Sequence, residues 1–391
     1  MREQRGKEGN EKLIAIKKRQ KRRRWISFII LILSFLFVFN IGSIIGSIRG
    51  VLHLGHVIIK PIANLSYSSG VKINEGDVVQ LAGDKLIKAE GGKLQYLDKE
   101  GILLWEKPYT GSKVIVKTAG KVIYIVEKDS GDFYVLDQQG GIQVKKEALG
   151  KVESVIAEDD EIAVLYKQLE RKITVLGSDG SIKSEIDLPY PDILDIAYVP
   201  QSKLIAVSVF FVEKETFHSN VLLFGLDGKM KGARNFDNQI LFRLAGVNDH
   251  IVGIGDSLSI AFSAEKDEIW KVPFDRTLTK LDISKDGYSA YNLIIENRDI
   301  ADTREENVIL LLSPEGKTLF EVKTNVVVER LKVRKDRVAV IGDGKVTLLD
   351  QNGRTVGMHN VSGILKEVIW INQELLGLEY EDHFEIMSCK Y

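Results

Sequence analysis

Leu94-Gln95-Tyr96-Leu97-Asp98-Lys99-Glu100-Gly101-Ile102-Leu103-Leu104-Trp105 is the stretch on which the fold of this chain turns. Apolar residues alternate into an Asp, a turn closes on Gly101, and a second alternating strand leaves. The turn glycine returns at Gly140 (after Val135-Leu136-Asp137), Gly180 (after Val175-Leu176-Gly177), Gly228, Gly316 and Gly353 (after Leu348-Leu349-Asp350). Successive spacings are 39, 40, 48, 88 and 37 residues, and 88 is two periods with a degenerate copy near Ala264-Glu265-Lys266. Six steps cover 252 residues, or 42 per step. A period of that length, made only of short strands and turns, marks the blade of a β-propeller.

Four strands per blade, a to d from the central channel outward, organise the chain. Innermost strands are predicted to begin near Val78, Lys113, Val152, Ile193, Ile240, Leu278, Val327 and Ile364. Seven copies continue through the glycine turn into strands c and d. The eighth ends at residues 383–391, which supply only strand c, and Tyr67–Ile73 is the expected donor of its strand d. Pairing the two ends of the chain in one blade removes two open sheet edges. The expectation is therefore an all-β, eight-bladed propeller over residues 67–391, with seven blades as the alternative because the fifth repeat lacks its turn glycine.

Charge and hydropathy divide what precedes the propeller. Residues 1–24 hold eleven of the 54 Lys/Arg and three of the 55 Asp/Glu, leaving 43 basic against 52 acidic residues beyond them. Trp25 to Ile48 then runs 24 residues without a charge, about 36 Å as a helix and enough to cross a ~30 Å hydrocarbon core. Seven basic residues lie between Lys17 and Arg24, against Arg49 and Lys60 after the span. That bias predicts residues 1–24 as a cytoplasmic tail, 25–48 as a single membrane-spanning helix, 49–66 as a stalk, and the propeller outside. The long apolar run and the lack of an Ala-x-Ala site favour an uncleaved anchor over a signal peptide. The basic head, followed at once by this span, is expected to meet anionic lipid rather than nucleic acid. Gly42 and Gly46 share one face of the span, a spacing that allows helix–helix contact and a homodimer. A lone Cys389 excludes an intrachain disulfide.

Leu97-Asp98-x-x-Gly101-x-x-x-Trp105 resembles the repeat of quinoprotein-like propellers, an eight-bladed group, and Trp270 in Glu268-Ile269-Trp270-Lys271 is similar to a second copy. The resemblance implies that each Trp docks one blade against the next. Quinoprotein alcohol dehydrogenases of that group need a pyrroloquinoline site with calcium and usually an adjacent cysteine pair. One cysteine cannot make that pair, so no cofactor is expected. The overall layout also resembles single-pass, membrane-anchored propeller proteins of Gram-positive bacteria.

No metal site is expected: calcium loops are absent, and His53 and His56 read as polar spots on the stalk. The extra residues fall on one face of the disc, in two long b–c loops predicted at Glu213–Asn220 and Glu296–Asn307. His218 lies in the first, Arg298 and Arg304 in the second. The same face carries an aromatic series in the d–a connections: Tyr109, Tyr190, Phe236 and Phe274, the last followed by Arg276. Rings around a channel mouth can anchor a partner; the plainer alternative is that each packs over the neighbouring blade. The functional expectation is an extracytoplasmic propeller that binds or scaffolds an envelope protein or wall polymer through this membrane-distal face. The alternative is an envelope hydrolase or lyase using carboxylates at the channel mouth.

Overall fold

Strands b and c of each repeat are apolar on both sides, as in Ile162-Ala163-Val164-Leu165, whereas strands d alternate. A strand covered on both faces reads as a continuous apolar run, so b and c must lie inside and d at the rim. The computed structural model describes residues 58–66, 78–82, 85–109, 113–190, 192–213, 216–295 and 306–390. In it the described residues form eight four-stranded antiparallel sheets, seven of them in sequential order a-b-c-d. The innermost strands are Val78–Ala82, Val114–Ala119, Ser154–Ile156, Asp192–Val199, Leu241–Val247, Thr277–Ile283, Val328–Arg334 and Leu365–Trp370. The fifth blade is complete although its turn glycine is gone, so the count is eight.

The core is divided into eight buried clusters, each shared by two neighbouring blades. Tyr198, Val207 and Leu222 of blade 4 pack on Ile173 and Val175 of blade 3; Tyr291 and Leu310 of blade 6 pack on Val252 and Ile254 of blade 5. The ring closes where Val79, Leu86 and Leu97 of blade 1 meet Ile371, Leu375, Phe384 and Ile386 of blade 8. Each such side chain, fully buried, stabilises the fold by about 1.5–3 kcal/mol.

The turn glycine recurs for two physical reasons. Gly101, Gly140, Gly180, Gly228, Gly316 and Gly353 all lie at φ between 73° and 82°, the left-handed region that costs an L side chain energy. Several also form the floor for a side chain from the preceding blade's strand d. A Cβ on Gly140 would stand 3.0 Å from the Trp105 ring, and one on Gly316 only 2.5 Å from the Trp270 ring. The two indoles donate Nε1–H to the carbonyls of Gln138 and Pro314, each at 2.9 Å, so blade-to-blade docking by Trp105 and Trp270 is present. In the fifth blade an arginine takes this role: Arg234 of blade 4 donates to the Ser263 and Ala264 carbonyls and pairs with Asp267 at 2.8 Å. Asp98, Asp137 and Asp350 hold their turns by accepting two backbone N–H bonds each.

Two sequence expectations need correction. The strand that completes blade 8 is Ile58–Ser66, paired antiparallel with His383–Lys390; Tyr67–Ile73 lies outside the described residues. The last nine residues assigned to a stalk are therefore part of the propeller. Pro61 is tolerated because the strand is outermost, where a missing N–H faces solvent, and a bulge follows between Pro61 and Ala63. Secondly, the described residues of the expected b–c loop Glu213–Asn220 belong to strands. Strands b (Leu204–Glu213) and c (Thr216–Gly225) stay paired to Glu213↔Thr216. In blade 6, Glu306 and Asn307 likewise belong to strand c (Glu306–Leu312). No helix among the described residues is long and apolar enough to cross a membrane; the apolar span 25–48, with Gly42 and Gly46, lies outside them.

Candidate functional site

Strands a line the channel, and charged side chains are set into six of the eight. Lys117 comes from blade 2, Asp195 from blade 4, Arg243 from blade 5, Asp282 from blade 6, Lys332 from blade 7 and Glu367 from blade 8. The charges alternate in sign and pair between blades. Arg243 Nη1 stands 3.6 Å from Asp195 Oδ2, while Lys332 Nζ lies 3.8 Å from Asp282 and 3.1 Å from Glu367. Two carboxylates also tie adjacent innermost strands together by accepting backbone N–H bonds, Asp195 from Leu244 at 2.8 Å and Asp282 from Val333 at 2.7 Å.

Burial sets the electrostatics. It raises Asp195 against the opposing effect of Arg243, and pushes Asp282 up to about 6 despite Lys332. Glu379, directly across the strand pair from Glu367, is pushed up to about 7 by burial, with Glu367 adding to the rise. Burial lowers Lys117, partly offset by Glu158. These carboxylates sit on three different blades, and Asp195 and Asp282 are each engaged by a cation and an N–H. A 690 Å³ cavity opens from the channel on the a–b/c–d side, lined by Lys117, Glu158, Asp195, Arg243 and Lys285. It can hold a polar guest between opposed charges. The sequence signal for this ring was a charge set inside an apolar innermost strand, as in Val114-Ile115-Val116-Lys117 or Ile193-Leu194-Asp195-Ile196.

On the opposite, d–a/b–c face the four aromatic residues are all packed between blades. Tyr109 lies against the blade 1–2 cluster and Tyr190 against the blade 3–4 cluster, both half-buried. Phe236 leans on Phe262 of blade 5 with centroids 5.4 Å apart, and buried Phe274 on Tyr291 of blade 6 at 5.0 Å. Arg276 pairs with Glu321 of blade 6 and Asp275. His218 hydrogen-bonds Asp237 at 2.8 Å and stacks on Phe211 at 5.3 Å. Arg298 and Arg304 lie outside the described residues. The residues on this face are thus distributed around the disc rather than gathered into one pocket.

One element does stand out of this face. In blade 4 strand a begins level with Phe210, so strands b and c continue three residues beyond it, about 10 Å at ~3.3 Å per residue. The projecting hairpin carries Val212, 64% exposed, and Phe217, 38% exposed.

Fold and channel together define an eight-bladed β-propeller. A family model described as "Family of unknown function (DUF5711)" matches residues 60–387, and the chain belongs to that family. No curated protein matches it in sequence. Among solved structures it is similar to BamB from Moraxella catarrhalis, with a TM-score of 0.55 at 11% identity, covering 85% of this chain and 100% of that one. It is also similar to the computationally designed Ika8 protein, with a TM-score of 0.62 at 12% identity over 84% of this chain and 99% of that one. The C-terminal WD40 domain of Sif2 gives 0.60 at 10% identity over 85% and 99%. At these identities the likeness is one of fold.

Proposed function

We propose that this chain is a membrane-anchored, extracytoplasmic propeller that binds or scaffolds another envelope component, a protein or a wall polymer, through its d–a/b–c face. The observation that carries the reading is the blade 4 hairpin. It stands about 10 Å proud of its innermost strand and presents Val212 and Phe217 to solvent. Exposed apolar side chains on a rigid projecting element suit a docking contact. The 24 uncharged residues before Arg49 and the basic run before them support the anchor. The chain enters the disc at Ile58, level with Lys390 on the a–b/c–d side, opposite the proposed docking face. A quinoprotein-like origin is supported by the docking of Trp105 and Trp270 on the next blade's turn.

A photo-reactive side chain placed at Val212 or Phe217 of the full-length protein tests the reading in intact cells and protoplasts. Discrete adducts are expected from these sites and not from Met358, which is equally exposed (65%) on the rim. Added protease should digest the propeller in protoplasts while sparing a tag placed before Arg2. Identical adduct patterns from all three positions would remove the hairpin, and a protected propeller would remove the envelope role.

A further inference from the structure

Blade 7 closes its a–b hairpin on two arginines. Only Lys335 and Asp336 separate its strands, so the register sets Arg334 directly opposite Arg337. Like charges facing each other across an antiparallel pair destabilise it. Arg334 Nη1 donates to the Trp370 carbonyl of blade 8 at 3.2 Å, and Arg337 Nη1 to that of Gln373 at 3.1 Å. Arg334 Nε is buried without a hydrogen-bond partner. Among the described residues Arg334 has no carboxylate at ion-pair distance.

A partly buried guanidinium that lacks an anion is costly, because desolvation is not repaid by a counter-charge. The turn opens on a 760 Å³ cavity between blades 6, 7 and 8, whose lining includes Arg334, Lys335, Arg337, Gln351, Asn352 and Gln373. Asp336 is the one acid in that lining, set against three cations. The planar forks of two arginines suit an oxyanion with several equivalent oxygens, and the exposed carboxamides offer further N–H donors. We propose that this cavity is an anion site for a phosphate-bearing group, held between Arg334 and Arg337 and drawn in by Lys335. Occupancy would supply the counter-charge that Arg334 lacks. The same chemistry is offered by an anionic lipid headgroup and by a soluble phosphate ester.

The test uses the full-length chain in phosphatidylcholine nanodiscs, titrated with sn-glycerol 3-phosphate at constant ionic strength by calorimetry. The parent is expected to bind, Arg334→Gln at least tenfold more weakly, and Arg334→Lys between them, since it keeps the charge and loses the fork. Lys335→Gln, an exposed side chain, should weaken binding severalfold at an unchanged melting temperature, and it decides the matter if Arg334→Gln fails to fold. Parent protein that does not bind, or an Arg334→Gln or Lys335→Gln variant within twofold of it, overturns the proposal. Nanodiscs containing phosphatidylglycerol separate the sources. A headgroup already in the site lowers the parent's apparent affinity for the added ester and leaves the residual affinity of Arg334→Gln unchanged; a soluble ligand gives the parent equal affinity in both discs. Only this second arm depends on the membrane anchor proposed above.

Discussion

Replacing Gly316 by Ala separates the two reasons for the turn glycine. At φ 75° an L side chain costs roughly 1–2 kcal/mol. The new Cβ would stand 2.5–2.9 Å from Trp270 ring atoms, between ring and backbone, with no room on either side. The indole must therefore lift, losing its 2.9 Å bond to the Pro314 carbonyl, about 1 kcal/mol, and part of its burial, about 1 kcal/mol more. The expected cost is ~3–4 kcal/mol. Gly344 is the internal control: its φ is 67°, and a Cβ there meets nothing within 4 Å, so Gly344→Ala should cost only the ~1–2 kcal/mol of backbone strain. With an unfolding entropy of ~2.1 cal/mol/K per residue over roughly 330 residues, these correspond to melting shifts of about 5 °C and about 2 °C. Thermal unfolding followed by tryptophan fluorescence reads both. Repeating Gly316→Ala in a Trp270→Ala background should reduce its cost to that of Gly344→Ala. An unchanged cost in that background, or equal costs for the two single variants, would refute the docking argument.

A fragment beginning at Ile58 should be a monomer, whereas one beginning at Tyr67 loses the nine-residue strand that covers His383–Lys390 and should melt lower and associate through the bared edge; equal melting and equal sedimentation would exclude the closure described here. Asp282 supplies a pH test. Its carboxyl is pushed up to about 6 when folded, above the ~3.9 of an unfolded chain, so folding favours its protonated form. The stability this contributes is present below about pH 4 and is lost as pH rises through about 6. Asp282→Asn, still able to accept from Val333 N–H, should remove that loss, making the variant's decline between pH 4 and pH 7 shallower than the parent's by denaturant titration. An identical decline would show that Asp282 does not titrate in this range.

Sequence periodicity resolved the parts of this fold that repeat. The innermost strands of blades 1 and 6, expected to begin near Val78 and Leu278, begin at Val78 and Thr277, because the repeat fixes their distance from the turns around them. The closing strand was missed by nine residues. Ile58–Ser66 carries Pro61, adjoins an apolar span and has no glycine turn before it, so each local cue pointed to a stalk; its partner is 332 positions away in Ile58↔Lys390. The blade 4 hairpin was hidden by Glu213-Lys214-Glu215, a charged run that reads as a loop until the pairing Glu213↔Thr216 is known. The aromatic series was visible, but whether a ring in a d–a connection turns outward or over the next blade depends on that blade's shape. The Arg334–Arg337 pair was legible in principle, since a two-residue turn between alternating strands forces the residues on either side to face each other.

The closure of blade 8 also bears on how the chain is made. Ile58 is synthesised early and must wait for His383–Lys390 before it has a ladder partner. Until then the blade 8–1 cluster of Phe384 and Ile386 with Val79 and Leu86 cannot assemble. The seven other inter-blade layers can form in order behind the ribosome. A chain stopped only ten residues short would therefore hold most of its layers and still expose two free sheet edges to proteases and to other copies of itself. The pairing acts as a check on closure: only a polypeptide carrying both Ile58–Ser66 and His383–Lys390 can become a sealed ring.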